Sequence, residues 1–200
     1  MEAEKTSYRP FKFLDRLEGN NHIVLLYDDS KYADLIIARY LFNGLKKGES
    51  CIFFTSDNPE MVRKKLSTEG INPDSLRIFQ IPRDFGNERD PMSIIKTIRK
   101  EATIGMNPPY RFVGRTVTDR ETIEGMKFGL LIEKTGNDHF QELDCSQMCY
   151  YDISGIEQSM KDEWIKGLLK NHDHVIYASK PDRAVAFETD LLDEDEDGEE

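Results

Sequence analysis

The sequence predicts one α/β domain, a three-layer sandwich with a mostly parallel central sheet. Three observations carry that expectation. Six short apolar runs alternate with helical patterns along the chain. Most of the runs are nearly continuous in apolar residues, as strands covered on both faces should be. Most are followed by Asp, Asn, Ser or Pro, the residues that open helices. Strands and helices alternating at this spacing build parallel sheets with helices on both sides, and 200 residues with 38% hydrophobic content suffice for one sizeable core.

Residues 1–19 mix charge with Tyr8, Phe11 and Phe13, and read as an N-terminal extension with a short helix packed on the body. His22 to Tyr27 is the first strand, and Asp28, Asp29 and Ser30 supply cap chemistry. Tyr32, Leu35, Ile36, Ala38, Tyr40, Leu41 and Phe42 then keep helical spacing until Gly44, with Lys46, Lys47 and Gly48 closing the segment. Ser50 to Thr55 is the second strand, ended by Ser56-Asp57-Asn58-Pro59, and Met61, Val62, Leu66 and Gly70 mark the next helix. Leu76 to Ile81 is the third strand, stopped by Pro82. A polar loop, Arg83 to Asp90, leads to Pro91 and a helix carrying Ile94, Ile95 and Ile98. After the break at Asn107-Pro108-Pro109, Tyr110 to Arg115 forms the fourth strand, and Thr118-Asp119 caps a helix through Ile123, Met126, Phe128, Leu130 and Ile132. Leu143 to Asp152 is the fifth strand, Ile156 to Leu169 a helix, and His174 to Ser179 the sixth strand. The domain therefore spans 20–187, and 188–200 is an acidic tail.

The net charge of -11 is concentrated in that tail, since Glu188 to Glu200 holds nine acids and no base. With those nine set aside, 29 acids face 27 bases, so the body is near neutral. A nucleic-acid-binding body would show a basic face, and none is visible. The tail repels itself and buries too little apolar surface to order; it reads as a solubilising end, with docking to a basic partner as the minor alternative. Three cysteines do not make a disulfide framework. The N-terminus has no signal-peptide core, and no run approaches the ~18 apolar residues of a membrane span. The expectation is a cytoplasmic protein with no membrane partner.

A phosphate-binding fold should place G-x-x-x-x-G-K-[ST] at the first strand-to-helix turn. Here Tyr27-Asp28-Asp29-Ser30-Lys31-Tyr32 has no glycine and two carboxylates that would repel a triphosphate. Lys31 alone reads as an exposed helical lysine. Cys145-x-x-x-Cys149 with His22, His172 and His174 can be drawn as a metal site, but residues 145 and 149 of one strand lie about 13 Å apart. We therefore read the cysteines as buried small residues and assign no metal; Cys51 reads as core. No G-x-S-x-G elbow and no H-E-x-x-H helix occurs, and His139 has no catalytic company. The remaining candidates are polar groups at C-terminal strand ends, where open α/β sheets bind ligands. They are Tyr27, Asp28, Ser56, Asp57, Arg83, Arg115, Tyr151 and Asp152, and each can equally be a helix cap or surface turn. Arg115 can answer a carboxylate or hold an anionic ligand by its fork geometry.

Four stretches in order, His22-Ile-Val-Leu-Leu-Tyr27, Gly44-Leu45-Lys46-Lys47-Gly48-Glu49-Ser50-Cys51, Cys149-Tyr150-Tyr151-Asp152 and Asn171-His172-Asp173-His174-Val175-Ile176, resemble the MEDS domain of methanogens and methylotrophs. The resemblance covers about residues 20–180. It implies a RecA/KaiC-like sandwich without the phosphate loop, in an archaeal or bacterial protein that senses small molecules. His22, Cys149 and His172, with Tyr27 and Tyr151, match family-shared positions, and no established catalytic role travels with them. Family members are often fused to DNA-binding or histidine-kinase modules, whereas no room for such a module follows Ser179 here.

The leading expectation is therefore a non-catalytic sensory domain in signal transduction, binding a small-molecule ligand at the C-terminal edge of the sheet and relaying to a kinase or transcription regulator. A divergent KaiC-like ATP-binding protein or ATPase is one alternative. A structural module that keeps the fold for homo-oligomer or heteromer contacts is the other.

Overall fold

The structure, a computed structural model, describes residues 9–81, 90–115, 122–154, 156 and 158–189. Its strands are β1 (His22–Tyr27), β2 (Ser50–Thr55), β3 (Arg77–Gln80), β4 (Tyr110–Gly114), β5 (Cys145–Asp152), β6 (His174–Ala178) and β7 (Val185–Glu188). Its helices are α1 (Pro10–Leu14), α2 (Ser30–Lys47), α3 (Pro59–Thr68), α4 (Pro91–Ala102), α5 (Ile123–Asp138) and α6 (Gln158–Lys170). The seven strands form one sheet in the order β3-β2-β4-β5-β1-β6-β7. All pairings are parallel except that of β6 with β7.

Alternate residues of each strand point to opposite faces, and helices bury both. Ile23 and Leu25 of β1, Met148 of β5 and Ile176 of β6 pack under α1, α2 and α3. Val24, Leu26, Cys149, Tyr151 and Val175 face the other way, against Met126 of α5 and Trp164 and Leu168 of α6. Ile94, Ile95 and Ile98 of α4 extend that second layer to Ile132. The three-layer α/β sandwich is the fold class the alternation predicts.

Helix starts follow the cap chemistry. Asp29, Asn58 and Asp90 accept from backbone N–H groups at the openings of α2, α3 and α4, and Pro59 and Pro91 fill first turns. The cap of α5 is Thr122, whose hydroxyl accepts from Gly125 N at 3.0 Å; the expected Thr118-Asp119 lies outside the described residues. α2 passes through Gly44 to the expected Lys46-Lys47-Gly48 close. The helix runs to Lys47 and is closed by Gly48, at φ +78°.

One element lies outside the expected set. β7, antiparallel on β6, has no counterpart among the six expected strands; Val185-Ala186-Phe187-Glu188 is a short run behind a Lys-Pro-Asp-Arg turn. The extension before residue 20 is tied to the body: Phe13 and Leu14 are buried in the α2-side core, and Asp15 takes two bonds from Arg39 at 2.7 and 2.6 Å. Among the described residues, no helix is long and apolar enough to cross a membrane. The acidic residues from 190 onward lie outside them.

Candidate functional site

The turn after β1 is built from its own carboxylates. Asp29 Oδ1 accepts from Tyr32 N at 3.0 Å, and the Asp29 carbonyl accepts from Ala33 N at 2.9 Å. Asp28 Oδ2 accepts from the Tyr177 hydroxyl at 3.1 Å. The free N–H groups and partial positive charge at the start of α2 are what a phosphate would use in this architecture. Here a protein carboxylate already sits at that end, on Tyr32 N, and Lys31 is exposed on the first turn.

The other strand-end candidates form a rim. Tyr27 is half-buried and in register with Asp152 across the β1–β5 pair. Asp152 Oδ1 is engaged locally, by Ser154 N at 2.8 Å and its hydroxyl at 2.6 Å. Ser56 is half-buried and Asp57 exposed, with Asp57 N donating to Thr55 Oγ1 at 3.0 Å. Arg83 lies outside the described residues. Arg115 is half-buried with its guanidinium carbon 5.9 Å from the Tyr150 ring centre. Burial pushes the Tyr150 phenol up to about 12, against the pull of Arg115. Arg115 also lines a cavity of about 30 Å³ with Phe54, Ile98, Arg99, Gly114 and Gln147. By the usual measure that is room for about two waters.

Tyr151 is not on this rim. It is buried beneath α5, where its hydroxyl donates to Glu133 Oε1. Around that carboxylate the fold gathers His22, Cys149 and His172, all buried, with one nitrogen, sulfur or carboxylate oxygen of each within 4.8 Å of the others. Cys149 Sγ donates to Glu133 Oε2 at 3.5 Å and lies 3.8 Å from His22 Nε2. His172 Nε2 is 3.6 Å from Glu133 Oε2, beyond hydrogen-bond reach, and has no partner. Each ring's other nitrogen is fixed: His172 Nδ1 donates to the Leu168 carbonyl at 2.7 Å, and His22 Nδ1 pairs with Asn137 Oδ1 at 3.2 Å. The two rings lie 4.1 Å apart, and His22 stacks on Phe140 at 4.8 Å. Gln147 Nε2 donates to Cys149 Sγ at 3.0 Å, and Arg99 donates to Gln147 Oε1 at 3.4 Å, which connects the group to the small cavity.

Electrostatics keep this group uncharged at its edges. Burial, then the neighbouring His172, holds His22 well below its ordinary value, and burial also lowers His172. Burial, then the Glu133 charge, raises the Cys149 thiol and the Tyr151 phenol well above theirs. The rings are neutral, and thiol and phenol keep their protons as donors to Glu133.

The distance argument against a shared site for Cys145 and Cys149 applies to that pair alone. Cys145 packs in the core with Phe112 and Phe140, while His174 turns to the opposite face, its Nε2 on Asn21 Oδ1 at 2.9 Å. His22, Cys149 and His172 meet after all, through a carboxylate that sequence reasoning passed over. Glu133 reads as a solvated helical glutamate, yet Met126, Gly129, Ile132 and Gly136 share its face, so helical spacing alone placed it inward. Gln147 carried a similar signal, alternating with Cys145, Cys149 and Tyr151 on one side of β5.

The profile of the MEDS family, described as MEthanogen/methylotroph, DcmR Sensory domain, matches residues 21–173. Among solved structures, a KaiC-like protein of the hyperthermophilic archaeon Pyrococcus horikoshii OT3 superposes with a TM-score of 0.53 at 13% identity, over 80% of this chain and 72% of that one. An ATPase domain superposes at 0.55 and 12% identity, over 88% and 76%. A second Pyrococcus horikoshii OT3 protein superposes at 0.57 and 8% identity, over 86% and 89%. At such identities the likeness shows the fold, which is RecA/KaiC-like. No curated protein sequence matches the chain.

Proposed function

We propose, from the premise that this chain belongs to the MEDS family of sensory domains, that it is the input part of a signalling system. It binds a small molecule at the C-terminal edge of the sheet and passes a conformational change to a partner protein, a kinase or transcription regulator, without turning over nucleotide. The observation that carries this reading is the self-capped start of α2. With Asp29 on Tyr32 N and Asp28 on Tyr177, the place where a nucleotide phosphate would be held is already negative and satisfied. A ligand is then left the rim of Tyr27, Asp28, Ser56, Asp57 and Asp152, and the cavity beside it. Arg99 and Arg115 line that cavity, and its volume of about 30 Å³ suits a molecule of few heavy atoms. Two guanidinium groups there favour an anionic or strongly polar one.

The ATPase reading keeps one support, the likeness of the fold to ATPase domains, and a single experiment separates the two. Calorimetric titration with magnesium and ATP should give no heat of binding, and phosphate release should not exceed the protein-free rate. Magnesium-dependent ATP binding that disappears in Lys31→Ala would overturn the sensor reading. The positive arm is a thermal-shift series with one- to three-carbon carboxylates, alcohols, amines and halides. A true ligand at about 100 times its Kd adds about 2.7 kcal/mol of stability, and that gain should fall in Arg115→Met.

A further inference from the structure

We propose that His22, Glu133, Cys149 and His172 form a closed binding site for a borderline divalent cation, Zn²⁺ above others, between the sheet and α5. The site goes beyond the sensor reading and does not depend on it.

The first support is what these atoms do without a cation. His172 gives its Nδ1 proton to the Leu168 carbonyl, so the neutral ring presents a bare lone pair at Nε2. That lone pair faces a carboxylate oxygen, Glu133 Oε2, at 3.6 Å in a fully buried setting, and no donor lies between. His22 repeats the pattern, with Nδ1 on Asn137 and Nε2 turned toward Cys149 Sγ at 3.8 Å. The unpartnered lone pair of His172, that of His22 facing the sulfur, a carboxylate and a thiol thus converge in a buried setting. Such an arrangement is costly unless a proton or a cation joins them.

The second support is the shell around the four. Metal-bound histidines typically give their other N–H to a carbonyl or carboxylate, which fixes ring and tautomer. Leu168 and Asn137 do this here, and the Tyr151 hydroxyl orients the carboxylate by holding its second oxygen. Zinc takes Cys, His and carboxylate ligands at about 2.0–2.3 Å, which sets ligand atoms about 3.4 Å apart in a tetrahedron. The observed group, with all four atoms within 4.8 Å, needs a modest contraction to reach that geometry. Charge balances as well. Cys149 loses its proton to solvent on binding, and thiolate plus carboxylate cancel the ion's two charges, as a buried site requires. Arg99 feels both Glu133 and Cys149 but ends on Gln147, leaving the carboxylate to the cluster.

The test uses the full chain, stripped with a chelator and titrated with Zn²⁺ or with Co²⁺ as its coloured substitute. One metal per chain should bind. Zn²⁺ should raise the melting temperature, and Co²⁺ should show the strong visible bands of a tetrahedral centre with a thiolate-to-cobalt band in the near ultraviolet. Asn137→Ala, which frees only the His22 ring, should weaken affinity about 10–100-fold. Cys149→Ser should remove the thiolate band. Because a buried change can unfold the chain, Cys51→Ala and Cys145→Ala are read too, and both should keep the band. Failure of the wild-type chain to take up stoichiometric metal overturns the proposal, as does a band that survives in Cys149→Ser or vanishes with Cys51 or Cys145. None of these outcomes bears on ATP or rim ligands, so the sensor reading stands or falls separately.

Discussion

Gly44 shows how much one missing methyl group decides. A Cβ built there would lie 2.3 Å from Arg111 Cδ, 2.4 Å from Arg111 Nε and 2.9 Å from Cys51 Sγ. Arg111 cannot step aside freely. Its Nε donates to Glu49 Oε2 at 2.5 Å, its Nη2 to Glu49 Oε1 at 3.0 Å, and its guanidinium covers the Tyr40 ring at 4.4 Å. In an open helix Gly→Ala gains about 1 kcal/mol, whereas overpacking a core costs about 1–3 kcal/mol. With the arginine pinned at both ends the cost wins, and Gly44→Ala should lower the urea midpoint. A raised midpoint would mean that Arg111 relocates at no cost. Nothing in the sequence around Gly44 shows this demand, because the residue it makes room for comes from β4, far along the chain. A second prediction concerns His174. Burial lowers its imidazole from the ordinary 6.5, against the opposing pull of Asp173 and Glu188. The unfolded chain therefore takes up the proton first as pH falls, so this residue costs stability below about pH 6.5 and costs nothing above it. The loss levels off once pH drops below the folded-state value. Stability curves for wild type and His174→Gln should converge above neutrality and separate in that acid window, with the variant falling less.

At the level of elements, caps were legible because their chemistry is local. Asp29, Asn58, Asp90 and their neighbours act within three residues, which is the range a sequence displays directly. Asp29→Ala removes the acceptor for Tyr32 N and should cost about 0.5–2 kcal/mol. The same change uncovers the start of α2, so sulfate should stabilise Asp29→Ala more than wild type in a melting series. Equal responses would show that Asp28 or another group still shields that end. β7 illustrates the opposite case. Four residues carry no period worth reading, and what makes Val185–Glu188 a strand is the open edge of β6, with Ala186 opposite Ile176 and wholly buried. The buried polar group was half visible for the same reason. His22, Cys149 and His172 stood out by type, and helical spacing set Glu133 on the inward face of α5, but that it meets the other three shows only when α5 is laid over β5.

For the whole molecule, alternation announced the layers and the parallel sheet, yet nothing local announced the strand order. The chain leaves β1 for β2, with the places of two strands left between them, and returns to set β5 directly beside β1. That crossing brings His22 against Cys149, which are distant in sequence and adjacent in the sheet. The same order predicts how stability is distributed. β1 pairs with β5 and β6, and its residues are buried on both faces until Tyr27. β3 pairs with β2 alone, and its four residues are half-buried or exposed. Openings that release β1 must separate three strands and both helical layers, whereas β3 can peel from one neighbour. Amide protection tracks the free energy of the opening that exposes each group. Hydrogen exchange followed by mass spectrometry should therefore find β1 and β5 slowest, close to the global unfolding free energy, and the edge strands β3 and β7 fastest. If the cluster under α5 is loaded with metal, protection should rise most in β1, β5 and α5, which it joins, and hardly at all in β3. Uniform protection across the sheet would contradict the ordering, because it would mean that the edge strand opens only when the whole domain does.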